Sequence, residues 1–485
     1  MCGTIVTCRY SLPPELTSGA SPDAVETVLR DAVAHTVLEH PILQVSILDE
    51  DSPAPSWGQL DSIDLSYHVR WDVVGQDADY EAQFKRRSLW NMDTWFTDLE
   101  TRPGWRIWAL RRAEDFEAID VILAWNHAHF DGMGGKIFHE TLLGHLNRLI
   151  GNSDQSQKLP YLSPGVLQLP NPVERLPPKG EELVKYPVTP KYAISSAWSE
   201  LRPPVLMGKK SHHAHWCPIR AEPFTSTYRT ILIAPDTVKN LLVACRQHKT
   251  TITGLIHALT FVSLAVQLPK EVQAMTSLTA LDHRRFMPSH PASHPWFDPH
   301  RSMSNIVSFM LHDYPTSLLD KIRSKAPASG SEDDVISGLE DFVWSDAARV
   351  RRELQARLDA GLKNDVIGLL KLVRDWRVQM RDTAKRPRTA SWTVTNLGVI
   401  DGSGSGGSGG SGCRITRSLF QISSEITGGA FNLSVVSVKG GEMAVDVGWQ
   451  ECTIDVAIGD RLTSDVRLWL EHLGKGGERE NGTSA

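Results

Sequence analysis

The stretch that decides the fold runs Ile119-Asp120-Val121-Ile122-Leu123-Ala124-Trp125-Asn126-His127-Ala128-His129-Phe130-Asp131-Gly132-Met133-Gly134-Gly135. Its first seven residues form a nearly continuous apolar run, as expected of a strand. Residues from Lys136 to Leu149 then follow helical spacing, so Asn126–Gly135 joins a strand to a helix. Such junctions are where α/β proteins present chemistry. A neutral imidazole at His127 can accept a proton from a hydroxyl near neutral pH. Asp131, four residues on, can orient a ring nitrogen or fix the turn. Gly132, Gly134 and Gly135 would let a substrate approach the backbone. The same residues also admit a plain reading, in which His127 and His129 merely satisfy local hydrogen bonds at a strand end.

Upstream, Trp105, Ile107 and Ala109 share one face of a strand, and Trp108 makes the other face apolar too, so burial on both sides is expected. Ser21-Pro22 reads as an N-cap and first helical residue, followed by Val25, Val28, Leu29, Ala32, Val33 and Thr36 at helical spacing. Pro41 stops that helix, Ile42–Ile47 reads as a strand, and Asp51–Trp57 as a loop. Downstream, prolines at 160, 164, 170, 172, 177 and 178 mark residues 154–210 as a crossover without regular elements. The second half predicts strands at 227–233, 273–281, 305–311, 391–400, 415–422, 431–438 and 442–449. Helices are expected at 236–248, 253–267, within the charged 331–380, and at 460–473, with a His/Pro-rich loop over 282–300. Alternating helices and strands in both halves argue for α/β layers. The expected division is an N-terminal lobe over 1–190, a crossover over 191–225 and a C-terminal lobe over 226–485. Within the last, 402–412 reads GSGSGGSGGSG, an engineered flexible linker standing where a native loop would be. Its relaxed span of about 18 Å brings Asp401 and Cys413 near each other.

A chain of 485 residues, 41% hydrophobic and 22% charged, is long enough for two or three domains and can bury a substantial core. The formal charge of −6 offers no basic surplus for nucleic acid. Six cysteines without a CxxC pair suit a reducing, cytoplasmic setting. The opening MCGTIVTCRYS lacks a signal-peptide pattern, and Gly254–Leu268 is too short and polar to span a bilayer. His212-His213-Ala214-His215-Trp216-Cys217 lacks a closed zinc-ligand spacing, so no metal is expected. No P-loop is present, and no GxSxG elbow outside the Gly/Ser run.

HxxxDG after an apolar strand, here His127, Asp131 and Gly132, resembles the signature of a large acyltransferase superfamily. It includes chloramphenicol acetyltransferase, plant-type BAHD acyltransferases, peptide-synthetase condensation domains and fungal alcohol O-acetyltransferases. The chain is most similar to the fungal alcohol acetyltransferase-like group. The resemblance runs from the early helix and His40-Pro41-Ile42-Leu43 to the last helix, and HxxxDG is its specific part. It implies that His127 is the general base and that Asp131 is structural, paired with an arginine of an aspartate–x–arginine element. Asp282-His283-Arg284 matches that element, with Arg284 the expected partner and Arg285 its rival. Ser304-Asn305-Ile306-Val307 resembles a strand near the acyl donor. Ser391-Trp392-Thr393-Val394-Thr395-Asn396-Leu397-Gly398 resembles one lining the channel. Ser304, Asn305, Ser391, Trp392 and Asn396 are therefore expected oxyanion or channel residues. Asp446-Val447-Gly448-Trp449 looks like the start of a plant-type DFGWG box but stands in what reads as the last strand. Asn126 replaces the first of two adjacent histidines usual in condensation domains.

The resemblance implies two chloramphenicol acetyltransferase-like α/β lobes, with mostly antiparallel sheets flanked by helices and a channel between them. It implies acyl-CoA, with acetyl-CoA the expected donor, as co-substrate and no bound cofactor. The acceptor would be a small-molecule hydroxyl of a secondary metabolite, and the enzyme a monomer. Two alternatives stand beside this. One is a stand-alone condensation-type enzyme that uses an acyl carrier protein or an amine acceptor. The other is a catalytically silent binding protein of the same fold, against which the intact His127, Asp131 and Gly132 argue.

Overall fold

Eleven strands make the two main sheets: Thr4–Ser11 (β1), Val69–Val74 (β2), Trp105–Arg112 (β3), Ala118–Trp125 (β4), Ser226–Ile233 (β5), Met275–Asp282 (β6), Val307–Tyr314 (β7), Trp392–Ile400 (β8), Arg414–Ile422 (β9), Phe431–Val438 (β10) and Met443–Gln450 (β11). The computed structural model describes residues 3–17, 22–114, 117–151, 159–170, 175–201, 214–326, 332–403 and 412–475. The first sheet has the order β9-β1-β4-β3-β2 and is antiparallel except for the β2–β3 pair. The second has the order β5-β11-β10-β8-β6-β7, with β8 parallel to both of its neighbours.

The apolar runs explain these sheets. β3 and β4 are buried on both faces over most of their length, as their lack of strict alternation predicts. Helices Pro22–Glu39 (α1) and Gly132–Gly151 (α2) cover the first sheet, with Leu29, Val33 and Val37 of α1 and Phe138, Leu142 and Leu146 of α2 in one core. The N-cap reading at Ser21 lies outside the described residues. Helices Ile252–Gln267 (α3) and Val456–Lys475 (α4) fill the second core with β8, β10 and β11. Thr251 caps α3, its hydroxyl accepting the Gly254 N–H at 3.2 Å. No single helix among the described residues is long and apolar enough to cross a membrane.

Several expectations are corrected. The strand expected over Ile42–Ile47 is a 3₁₀ turn at Pro41–Gln44 and a strand at Val45–Leu48. Proline at the first position of the turn favours helical torsions there. The 154–210 crossover holds short strands at Tyr161–Ser163 and Val166–Gln168 and a helix at Pro190–Leu201. The charged 331–380 stretch ends its long helix at Asp359, before a left-handed Gly361 (φ +62°). Most consequential is β9. It follows the Gly/Ser run in the second half, yet it pairs with β1 of the first sheet, Thr4 opposite Ile422. Ile415, Leu419 and Phe420 of β9 belong to the first core, which draws the strand across.

Candidate active site

The turn after β4 is built by its own side chains. The Asn126 side-chain oxygen accepts the Ala128 N–H at 3.0 Å, and its carbonyl accepts the His129 N–H at 3.0 Å. Trp125 Nε1 donates to the Phe130 carbonyl at 2.7 Å, and the two rings stack with centroids 4.8 Å apart. Asn126 thus makes an Asx turn, a role legible in its position but not drawn from the sequence. The chain then enters α2 at Gly132, four residues earlier than the spacing suggested.

Asp131 caps that helix and does more. Its Oδ1 accepts the Gly134 N–H at 3.0 Å, and its Oδ2 accepts the Ile306 N–H at 2.9 Å. Arg284 closes a two-pronged ion pair on it, Nη1 to Oδ2 at 2.7 Å and Nη2 to Oδ1 at 2.9 Å. Arg284 also donates to the Ser304 carbonyl (2.9 Å), the Pro299 carbonyl (3.1 Å) and Asp282 (3.1 Å). Burial opposes the charge on Arg284, but Asp131 more than offsets it and the guanidinium stays protonated. Arg285 does not enter this network: it is exposed, with its guanidinium over the Phe286 ring at 5.6 Å.

His127 stands half-buried on the turn. Asn305, brought in by the segment that Arg284 and Asp131 hold, donates to the His127 carbonyl at 2.7 Å and lies 3.4 Å from Nδ1. Among the described residues no partner bonds Nε2. His129 is fully separate. It is buried, its Nε2 accepts the Gly104 N–H at 3.2 Å, and Trp57 packs edge-on at 4.9 Å. Burial drives its pKa down to about 4, so the ring is neutral. A Cβ on Gly104 would sit 2.7 Å from that ring, a constraint the sequence reading passed over.

The other candidates part company. The Ser304 hydroxyl turns to the Ser302 carbonyl at 3.5 Å, and it is the Ser304 backbone that serves Asp131 and Arg284. Ser391 and Trp392 are buried. The Ser391 hydroxyl accepts Trp216 Nε1 at 3.3 Å, and Trp392 donates to His257 at 3.0 Å inside the second core. The expected channel role for Trp392 therefore gives way to core packing. Asn396 is exposed, bonding Thr253 and the Gly398 N–H within a β8 bulge where Gly398 takes φ +70°. Leu397 of that bulge and Phe420 press on Gly132, where a Cβ would lie 2.7 Å from Leu397. Added Cβ atoms on Gly134 and Gly135 would meet Phe130 (2.8 Å) and Trp125 (2.7 Å). These glycines serve protein packing, which corrects their expected role of admitting substrate. Among the described residues no cluster of histidine, cysteine, aspartate or glutamate side chains fits a metal ion; His212 and His213 lie outside them.

The fold, sheets flanked by helices with a buried aspartate–arginine pair behind a strand-end histidine, is that of condensation domains and chloramphenicol acetyltransferase-like proteins. The chain matches the family model for alcohol acetyltransferases over residues 76–295. It is 27% identical to the probable alcohol acetyltransferase FCK4 of Fusarium pseudograminearum over 468 residues, covering 94% of this chain and 88% of that one. It is 23% identical to the probable alcohol acetyltransferase crmB of Aspergillus fumigatus, covering 94% and 93%. In fold it is similar to the trichothecene 15-O-acetyltransferase TRI3 of Fusarium sporotrichioides, with TM-score 0.69, 12% identity, and coverage of 97% and 91%. It is also similar to the first condensation domain of the CDA synthetase, with TM-score 0.52, 12% identity, and coverage of 97% and 90%.

Proposed function

We propose that this acyltransferase moves an acyl group, acetyl in the first instance, from a coenzyme A thioester to a hydroxyl of a small secondary metabolite. The observation that carries the reading is the placement of His127. It is half-buried on a turn fixed by the Asp131–Arg284 pair, beside exposed Asn305, with no protein partner bonding Nε2 among the described residues. A base needs one ring nitrogen available and a rigid support, and this arrangement supplies both.

The acceptor hydroxyl gives its proton to His127 Nε2 as its oxygen attacks the thioester carbonyl. The tetrahedral intermediate then expels the thiolate, which takes the same proton from the imidazolium and leaves as free thiol. No acyl-enzyme forms. Asn305 uses one amide hydrogen on the His127 carbonyl and keeps a second for the developing oxyanion, a contribution of a few kcal/mol in such sites. The test is a free-thiol release assay over a panel of alcohols and acyl-CoAs, with mass spectrometry of the products. An ester product that depends on His127 supports the reading; absence of thiol release across the panel overturns it.

A further inference from the structure

A cavity of about 400 Å³ lies between the C-terminal end of α1 and the 290–303 loop. Leu38, Ile42, Met303 and Trp296 give it apolar wall. Its charged groups differ in how they are engaged. The Glu39 carboxylate is bonded by His145 Nε2 at 2.9 Å, and Asp298 accepts the His300 N–H at 3.0 Å. His40 is bonded to Thr141 at 3.0 Å, and burial drives its pKa down to about 4, so it is neutral. His290, at the rim, is bonded through Nδ1 to the Pro295 carbonyl at 2.9 Å. Arg175 and Arg301 line the same cavity and are exposed, and neither guanidinium hydrogen bonds or salt-bridges a described residue, although the Arg301 charge acts on Glu39 and His40 nearby. Glu39 and Asp298 each accept a hydrogen bond within the protein while neither guanidinium donates one to a described residue, so the cavity keeps two guanidinium donor sets that an anion can engage.

Its position relative to the His127 turn adds a length. The 298–303 wall is shared with the site, since Arg284 donates to the Pro299 carbonyl at 3.1 Å and Asn305 follows two residues after Met303. Thr141, which holds His40, lies on α2 about 15 Å along the helix from Asp131. That is the scale of an extended pantetheine arm, which separates a thioester from its phosphates.

We propose that this cavity recognises phosphate on the acyl donor, with Arg175 and Arg301 as the phosphate ligands and Leu38, Ile42 and Met303 packing the adjoining arm. The inference rests on the thioester-donor reading above. The phosphate has two possible carriers, coenzyme A and the phosphopantetheine of a carrier protein. The experiment uses the full chain with R175Q, R301Q and the double substitution. kcat/KM is measured for acetyl-CoA, acetyl-carrier protein and phosphate-free acetyl-pantetheine. The expected result is a fall of about tenfold or more, in the double variant, in the ratio of a phosphate-bearing donor to acetyl-pantetheine. A fall confined to acetyl-CoA or to the carrier thioester supports the site and names the carrier. An unchanged ratio for both overturns it. CoA binding by calorimetry, with R175Q/R301Q against the parent chain, reads the same site without turnover: a Kd raised about tenfold supports phosphate recognition, and an unchanged Kd counts against it. Failure of every thioester to turn over in the parent chain would instead be failure of the donor reading.

Discussion

Asp131 and Arg284, 153 residues apart in sequence, meet as a fully buried two-pronged ion pair at 2.7 and 2.9 Å. The pair joins the helix that follows the His127 turn to the segment that delivers Asn305. Removing one partner leaves a buried charge, which costs roughly 3–5 kcal/mol. Asp131→Asn and Arg284→Ala should each lower stability on that scale and reduce activity, and the double variant should cost far less than their sum. Denaturant melts of the four-member cycle give the coupling. Arg285→Ala combined with Asp131→Asn should be additive, because Arg285 lies outside the network.

His127 and His129 separate chemistry from support. His127→Ala should lower kcat by about 100-fold or more while leaving the melting temperature nearly unchanged. His129→Ala should do the reverse, because it empties a buried site against Gly104 and Trp57. Its cost should be roughly 1–3 kcal/mol of stability, with a much smaller loss of kcat. Steady-state kinetics on each variant, with a thermal melt alongside, distinguish the two; nearly full turnover by His127→Ala would end its assignment as base.

Gly135→Ala tests the packing role of the motif glycines. Its Cβ would stand 2.7 Å from the Trp125 ring, which also holds the Phe130 carbonyl. An ordinary helix would gain up to about 1 kcal/mol from this substitution. Here the clash should reverse the sign, with a loss of about 1–3 kcal/mol and lowered kcat as the turn shifts. A stabilised, fully active variant would mean that the turn has room to give.

Asp446 of β11 gives a pH signature. It is buried with no cationic partner among the described residues, hydrogen bonded by Thr230 and, at 3.3 Å, by the Phe420 N–H of β9. Burial raises its pKa to about 7 from 3.8. Between these values the unfolded chain releases the proton and the folded chain keeps it, so this group's contribution to stability falls as pH rises from about 4 to about 7 and is level above. Asp446→Asn removes that dependence. The stability of the variant relative to the parent should rise across the window, read from urea midpoints at pH 5, 6, 7 and 8. A constant difference would show that Asp446 does not keep its proton on folding.

Much of this was legible in the chain. The continuous run of Ile119–Trp125, the mixed apolar faces of Trp105–Ala109 and the helical spacing of Val25–Thr36 act within a dozen residues, and burial followed them. HxxxDG placed His127 and Asp131 at a strand-to-helix turn for the same local reason. Tertiary contacts settled the rest. A period of two says which side chains of β8 share a face but not whether that face meets a core or an opening, so Trp392 was read as channel lining and lies in the core. The choice of Arg284 over its neighbour depends on which guanidinium the Arg284–Phe286 turn points inward at a carboxylate from the other lobe. β9 reads as an ordinary strand of the second half, yet it pairs with β1 and buries Ile415, Leu419 and Phe420 in the first core, and burial across hundreds of residues leaves no local mark in sequence. The cavity with Arg175 and Arg301 is likewise made by chain segments that meet only on folding, which is why no spacing in the sequence announces it.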